Sequence, residues 1–83
     1  MRDMNTLAAL KLSTPAQIIA IDWDVLGEAE AQRLQSFGFE IGAQVEPLHH
    51  AGLFARDPIA CKIGRMTVAV RRAVAAAIQV APL

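Results

Sequence analysis

The chain has one cysteine, no tyrosine and four aromatic side chains: Trp23, Phe37, Phe39 and Phe54. A lone Cys61 excludes an internal disulfide and any paired-cysteine metal motif. So few aromatics leave little on which the bases of a single-stranded nucleic acid would stack. Net charge is zero, which argues against wholesale nucleic-acid binding. The longest apolar run, Ala73–Ile78, is six residues, against the roughly 18 that a membrane span needs. No glycine-rich phosphate loop and no nucleophile elbow is present. The start, Met1-Arg2-Asp3-Met4-Asn5, carries an early acid and leads into no long apolar run, so a secretory signal is not expected. These absences point to a cytoplasmic protein that is not an enzyme, requires no cofactor and acts by contact.

What is present is a greasy, weakly charged chain of 83 residues, 54% hydrophobic and 19% charged. That composition fits one folded domain over 1–83 and argues against disorder. Its charges are segregated. Residues 1–57 hold four basic groups and all eight acids, whereas residues 58–83 hold Lys62, Arg65, Arg71 and Arg72 and no acid. Such asymmetry marks either a charged binding face or two halves that neutralise each other, and the small size of the domain favours the second.

Asn5 or Thr6 is placed to cap a helical turn over Leu7–Leu10. Ala16–Asp22 reads as a strand, and the uneven spacing of Ile18, Ile19 and Ile21 predicts a bulge. Glu28–Phe37 is the one well-marked helix, with Glu28 and Glu30 in the first turn where the dipole favours negative charge. Gly38 suits the left-handed position just past the helix end, which sets Leu34 and Phe39 in the hydrophobic contact that accompanies such a stop. Ala43–His49 follows as a strand in which Pro47 predicts an edge or a bulge. Ile59, Cys61 and Ile63 alternate with Ala60 and Lys62, and Met66, Val68 and Val70 alternate likewise, with Gly64-Arg65 as a tight turn between the two strands. Arg72–Ala77 predicts one or two helical turns, and Ile78–Val80 a last strand. The fold class expected is mainly β with an inserted helix: about five short strands in a small, partly open barrel.

The order Ala16-x-Ile18-x-x-Ile21, Arg33-Leu34, Phe37-Gly38-Phe39, Gly42, Val45, Asp57-Pro58, Gly64, Val68-Ala69-Val70-Arg71 and Ile78-x-Val80 resembles the FeoA family, small cytosolic components of bacterial ferrous iron uptake, over nearly the whole chain. The resemblance implies an SH3-like β-barrel without catalytic activity. It also implies a regulatory role beside the FeoB permease, with the permease's cytosolic domain as the partner. The chain departs from the pattern at Ser13-Thr14-Pro15, where the family often has a glycine, and in the apolar segment Ala51–Arg56.

Several constellations invite chemistry. His49-His50 is the weak metal candidate, for a ferrous or other divalent ion. Adjacent side chains on a strand point to opposite faces, however, and no ligand spacing surrounds them. Cys61 is in phase with Ile59 and Ile63 and reads as a core thiol. Arg71 is expected in a structural salt bridge to an acid such as Asp57. Leu53 and Phe54, beside Arg56, Asp57 and Pro58, form an apolar anchor with a charged rim, the composition of a binding hot spot. With Lys62, Arg65 and Arg71 they make up the expected partner-binding set. The alternative readings are a small domain associated with a metal-responsive repressor or with nucleic acid, and a ferrous-ion carrier. An edge strand near Pro47 leaves self-association open.

Overall fold

A computed structural model of the chain describes residues 5–51 and 57–83. The polypeptide begins with β1 (Asn5–Thr6) and a 3-10 turn over Leu7–Ala9, where the Thr6 hydroxyl accepts a hydrogen bond from the Ala9 N–H at 3.2 Å. Then come β2 (Ala16–Ile21), α1 (Trp23–Leu26), α2 (Glu28–Ser36), β3 (Gln44–His50), β4 (Ile59–Ile63), β5 (Met66–Val70), α3 (Arg72–Ala75) and β6 (Ile78–Pro82). The strands form one antiparallel sheet in the order β1-β6-β2-β3-β4-β5.

The stop of α2 follows from Gly38. Its φ of 97° carries the chain out of the helix, the Gly38 N–H donates to the Gln35 carbonyl at 3.0 Å, and the Phe39 N–H donates to the Leu34 carbonyl at 3.1 Å. These are the paired bonds of a Schellman motif. Leu34 and Phe39 are both fully buried in the same core cluster, together with Leu7, Ile18, Val45, Ile59, Val70 and Ile78. Each such side chain contributes roughly 1.5–3 kcal/mol by leaving water.

The contact between β2 and β3 is short. They pair only at Ala16↔Val45 and Gln17↔Gln44, extended by Ile18 N–H to the Ala43 carbonyl and Gly42 N–H to the Ile18 carbonyl, both at 2.8 Å. Past Val45, β3 stays in register with β4 alone. Pro47 lies there, buried opposite Cys61, and the register shifts between Pro47 and His49. A residue without an N–H thus sits next to a bulge, and its carbonyl accepts from the Ser13 N–H at 2.6 Å. The β2–β6 ladder has its own shift between Ile18 and Ala20, where the isoleucine spacing predicted one.

The expected SH3-like β-barrel of about five strands is not formed. The chain is a mixed α/β fold, and its six-stranded sheet is open, with β1 and β5 at its two ends. Closure requires continuous pairing around the sheet. Here the first strand is two residues long and passes directly into the 3-10 turn, while β5 passes directly into α3, so neither end supplies a ladder to the other. Strand β1 and helix α1 have no counterpart in the sequence reading, and β6 extends two residues beyond it.

Two backbone positions give a paired test. A Cβ added at Gly38 meets nothing within 4 Å, so Gly38→Ala should cost the left-handed conformation alone, about 1–2 kcal/mol. Ser13 holds a φ of 65°, so Ser13→Gly should stabilise by roughly 0.5–1 kcal/mol once glycine's greater unfolded-state freedom is subtracted. Denaturant midpoints of the two variants should move in opposite directions.

Candidate functional site

The β4–β5 hairpin is built around a two-residue turn. Ile63 pairs with Met66, Gly64 takes a φ of 59°, and Arg65 keeps an ordinary negative φ, the pattern of a II′ turn with glycine first. Alternation does the rest. Ile59, Cys61 and Ile63 face the core, and Lys62 faces solvent. Arg65 is exposed in the turn. Arg71 and Arg72 are exposed where β5 becomes α3. The hairpin and the first residues after it therefore display four cations. Among the described residues no salt bridge joins any of them to an acid. Glu46 stands in register with Lys62 across β3–β4 without closing an ion pair. Both lie at the rim of an open cleft of about 460 Å³, walled on its other side by Phe37 and Gly38.

Asp57 and Pro58 lead into β4, joined by a cis peptide bond. The expected partner of Asp57 was the Arg71 guanidinium. Instead its carboxylate Oδ1 accepts a hydrogen bond from the backbone N–H of Arg72 at 2.9 Å. It thus satisfies one of the free N–H groups that open α3. The Ala51 N–H donates to the Pro58 carbonyl at 2.8 Å, tying together the two ends of the segment that carries Leu53, Phe54 and Arg56. Those three residues lie outside the described residues.

The metal candidates are not brought together. His49 pairs with Ala60 and His50 with Ile59, successive positions on opposite faces of β3, and His49 is exposed. Among the described residues there is no group of three or more His, Cys, Asp or Glu placed to hold a metal ion. Cys61 is fully buried, its thiol directed to the Ile59 carbonyl at 3.7 Å, and burial pushes its pKa up to about 11. At neutral pH it is a protonated core thiol, not a ligand or a nucleophile.

Arg33 is the residue whose role the sequence did not disclose. It pairs with Glu30 at 2.9 Å, lies 5.3 Å from the centroid of the Phe37 ring, and donates from Nη2 to the Ala69 carbonyl of β5 at 3.2 Å. The acid three positions earlier signals the ion pair. Nothing local signals the reach to a strand 36 residues on.

Residues 5–82 match the family described as FeoA domain. Among solved structures, the chain is similar to FeoA protein from Chlorobium tepidum, with 29% identity, a TM-score of 0.81, and 95% of this chain and 70% of that one covered. It is also similar to iron(II) transport protein A from Clostridium thermocellum, with 29% identity and a TM-score of 0.80. There 95% of this chain is covered, but only 46% of the other. A third likeness is to Stenotrophomonas maltophilia FeoA, solved in complex with zinc, with 26% identity, a TM-score of 0.74, and 93% and 89% of the two chains covered. No curated protein sequence matches the chain. No helix among the described residues is long and apolar enough to cross a membrane.

The buried thiol makes a pH prediction. Below its ordinary pKa of 9.0 the thiol is neutral whether the chain is folded or not, and it leaves stability unchanged. Above that value the unfolded chain releases the proton first, so stability falls with rising pH until the folded thiol also ionises near pH 11. Up to about 2–3 kcal/mol should be lost across that window. Chemical denaturation of wild type and Cys61→Ala at pH 8 and pH 10.5 should show a smaller loss in the variant; equal losses would mean the thiol is not buried.

Proposed function

The chain belongs to the FeoA family, and on that premise we propose that it is a contact module for a FeoB-type permease, working on the cytosolic side of the membrane. The family is a small, non-enzymatic domain associated with bacterial ferrous iron uptake. A protein of this kind acts by binding, and FeoB-type permeases are the interaction partners associated with the family.

The observation that carries the assignment is the row of exposed cations, Lys62, Arg65, Arg71 and Arg72, which close no salt bridge among the described residues and are displayed on and just after a hairpin whose opposite face is core. Asp57 ties the start of α3 to the end of the apolar segment bearing Leu53 and Phe54. The proposed contact surface is therefore Asp57, Pro58, Lys62, Arg65 and Arg71 together with Leu53, Phe54 and Arg56. An apolar anchor beside guanidinium groups is the composition of an interface hot spot, and the charges around it steer the approach of an acidic partner.

Titration of isotope-labelled protein with the permease's cytosolic domain, read by backbone amide shifts, should move residues 57–72 and leave α1 and β6 unchanged. Leu53→Ser with Phe54→Ser should weaken binding by about 100-fold, equivalent to roughly 2–3 kcal/mol, with no loss of folded signal. Absence of shifts at high partner concentration would overturn direct contact with that domain.

A further inference from the structure

We propose that the open edge of β5 is a docking site for an extended acidic segment of another protein, which adds to the sheet as a seventh strand. Strand β5 is the last strand of the sheet, with β4 on one side of it. The two-residue turn makes Ile63↔Met66 the first hydrogen-bonded pair of the hairpin. By alternation, Cys61↔Val68 and Ile59↔Val70 are hydrogen-bonded pairs too, and Thr67 and Ala69 direct their N–H and C=O groups away from β4. The Ala69 carbonyl accepting from Arg33 agrees with that assignment. One outward group is thus occupied by a partly exposed arginine, and the remaining three, without a hydrogen-bond partner among the described residues, form the template that strand addition uses.

The side chains specify the occupant. Met66 and Val68 lie on the core face of the edge, Met66 still 42% exposed and Val68 half-buried, so the adjoining strand gains apolar contact on that face. Thr67 and Ala69 lie on the outer face, with Lys62 opposite Thr67. Arg65 stands at one end of the strand, and Arg71 and Arg72 at the other. The matching ligand alternates apolar residues with carboxylates and runs along a strand bracketed by guanidinium groups, which bind carboxylates in a two-pronged fashion. A second copy of this chain does not match. An antiparallel β5 pair centred on Val68 would set Arg65 of one copy opposite Arg71 of the other, and like charges directly opposite are destabilising.

The test uses a synthetic octapeptide alternating valine with glutamate and its valine–lysine counterpart. The glutamate peptide should shift the Thr67 and Ala69 amides and slow their hydrogen exchange. It should bind about tenfold or more tightly than the lysine peptide at low salt. Thr67→Pro removes one outward N–H and no bond to β4, so it should abolish binding while the melting temperature holds. Arg65→Glu with Arg71→Glu provides a variant that does not touch the backbone, and it should reverse the preference toward lysine. Equal affinity for the two peptides, undiminished binding by Thr67→Pro, or shifts spread away from β5 would each overturn the proposal. So would concentration-dependent shifts of Thr67 and Ala69 without peptide, which would mean the edge pairs with a second copy.

Discussion

Gly38 turns the chain out of α2 at a φ of 97°, and that single backbone angle delivers Phe39, the largest of the fully buried side chains, into the core while Leu34 enters from the helix. A right-handed residue at this point would continue the helix or send Phe39 elsewhere, because the two carbonyl caps at Gln35 and Leu34 close only over a left-handed C′ residue. The consequence extends beyond the core. Fixing the end of α2 also fixes Phe37 and Arg33 one turn earlier, and Arg33 reaches from there to the Ala69 carbonyl at the far edge of the sheet. Helix stop, core and sheet edge are one mechanical unit.

The sheet is open for a related reason. Strand β3 holds β2 for two register pairs and then leaves it, and at Pro47 the strand that remains in register is β4, with the Pro47 carbonyl taken by the Ser13 N–H instead of by β2. The bulge after Pro47 turns His49 to the outer face opposite Ala60, although its odd-numbered neighbours Val45 and Pro47 face the core. The hairpin that carries the cations ends the sheet instead of closing it. A closed barrel would have paired β5 on both sides and left its backbone no role in recognition.

Much of this was legible in single residues. Gly38 with Leu34 and Phe39, the alternation of Ile59, Cys61 and Ile63, the Gly64-Arg65 turn and the Ile18–Ile21 irregularity are local patterns, and the structure reproduces each. The barrel was not formed because closure is decided by which strand ends meet, and no local pattern encodes the length of a two-residue β1. Asp57 was expected on the Arg71 side chain, yet it accepts from the next residue's backbone N–H. Charge pairing is visible in a sequence, whereas a helix cap supplied from 15 residues away is not. Ser13 is the converse case: a serine stands at a left-handed φ of 65°, a conformation that glycine adopts at no steric cost and that nothing in the local sequence announces.

Solvent-facing Lys62 and the buried Ile59, Cys61 and Ile63 lie on opposite faces of the same hairpin. Ile59, Ala60, Cys61 and Ile63 of β4 are buried and Lys62 alone touches solvent, so the charge at position 62 can change without changing what Ile59, Cys61 and Ile63 bury. The arginines are placed still further from the core, in a turn and at the junction of β5 with α3, where their backbone conformations are set by Gly64 and by the Asp57 cap. Three of the four cations are arginine, whose planar fork loses less freedom per hydrogen bond to a carboxylate than the lysine ammonium does. No acid lies in residues 58–83, and the two that stand against these groups from earlier in the chain, Glu46 in register with Lys62 and Asp57 on the Arg72 N–H, partly offset the local field within a Debye length while closing no ion pair with the four cations among the described residues.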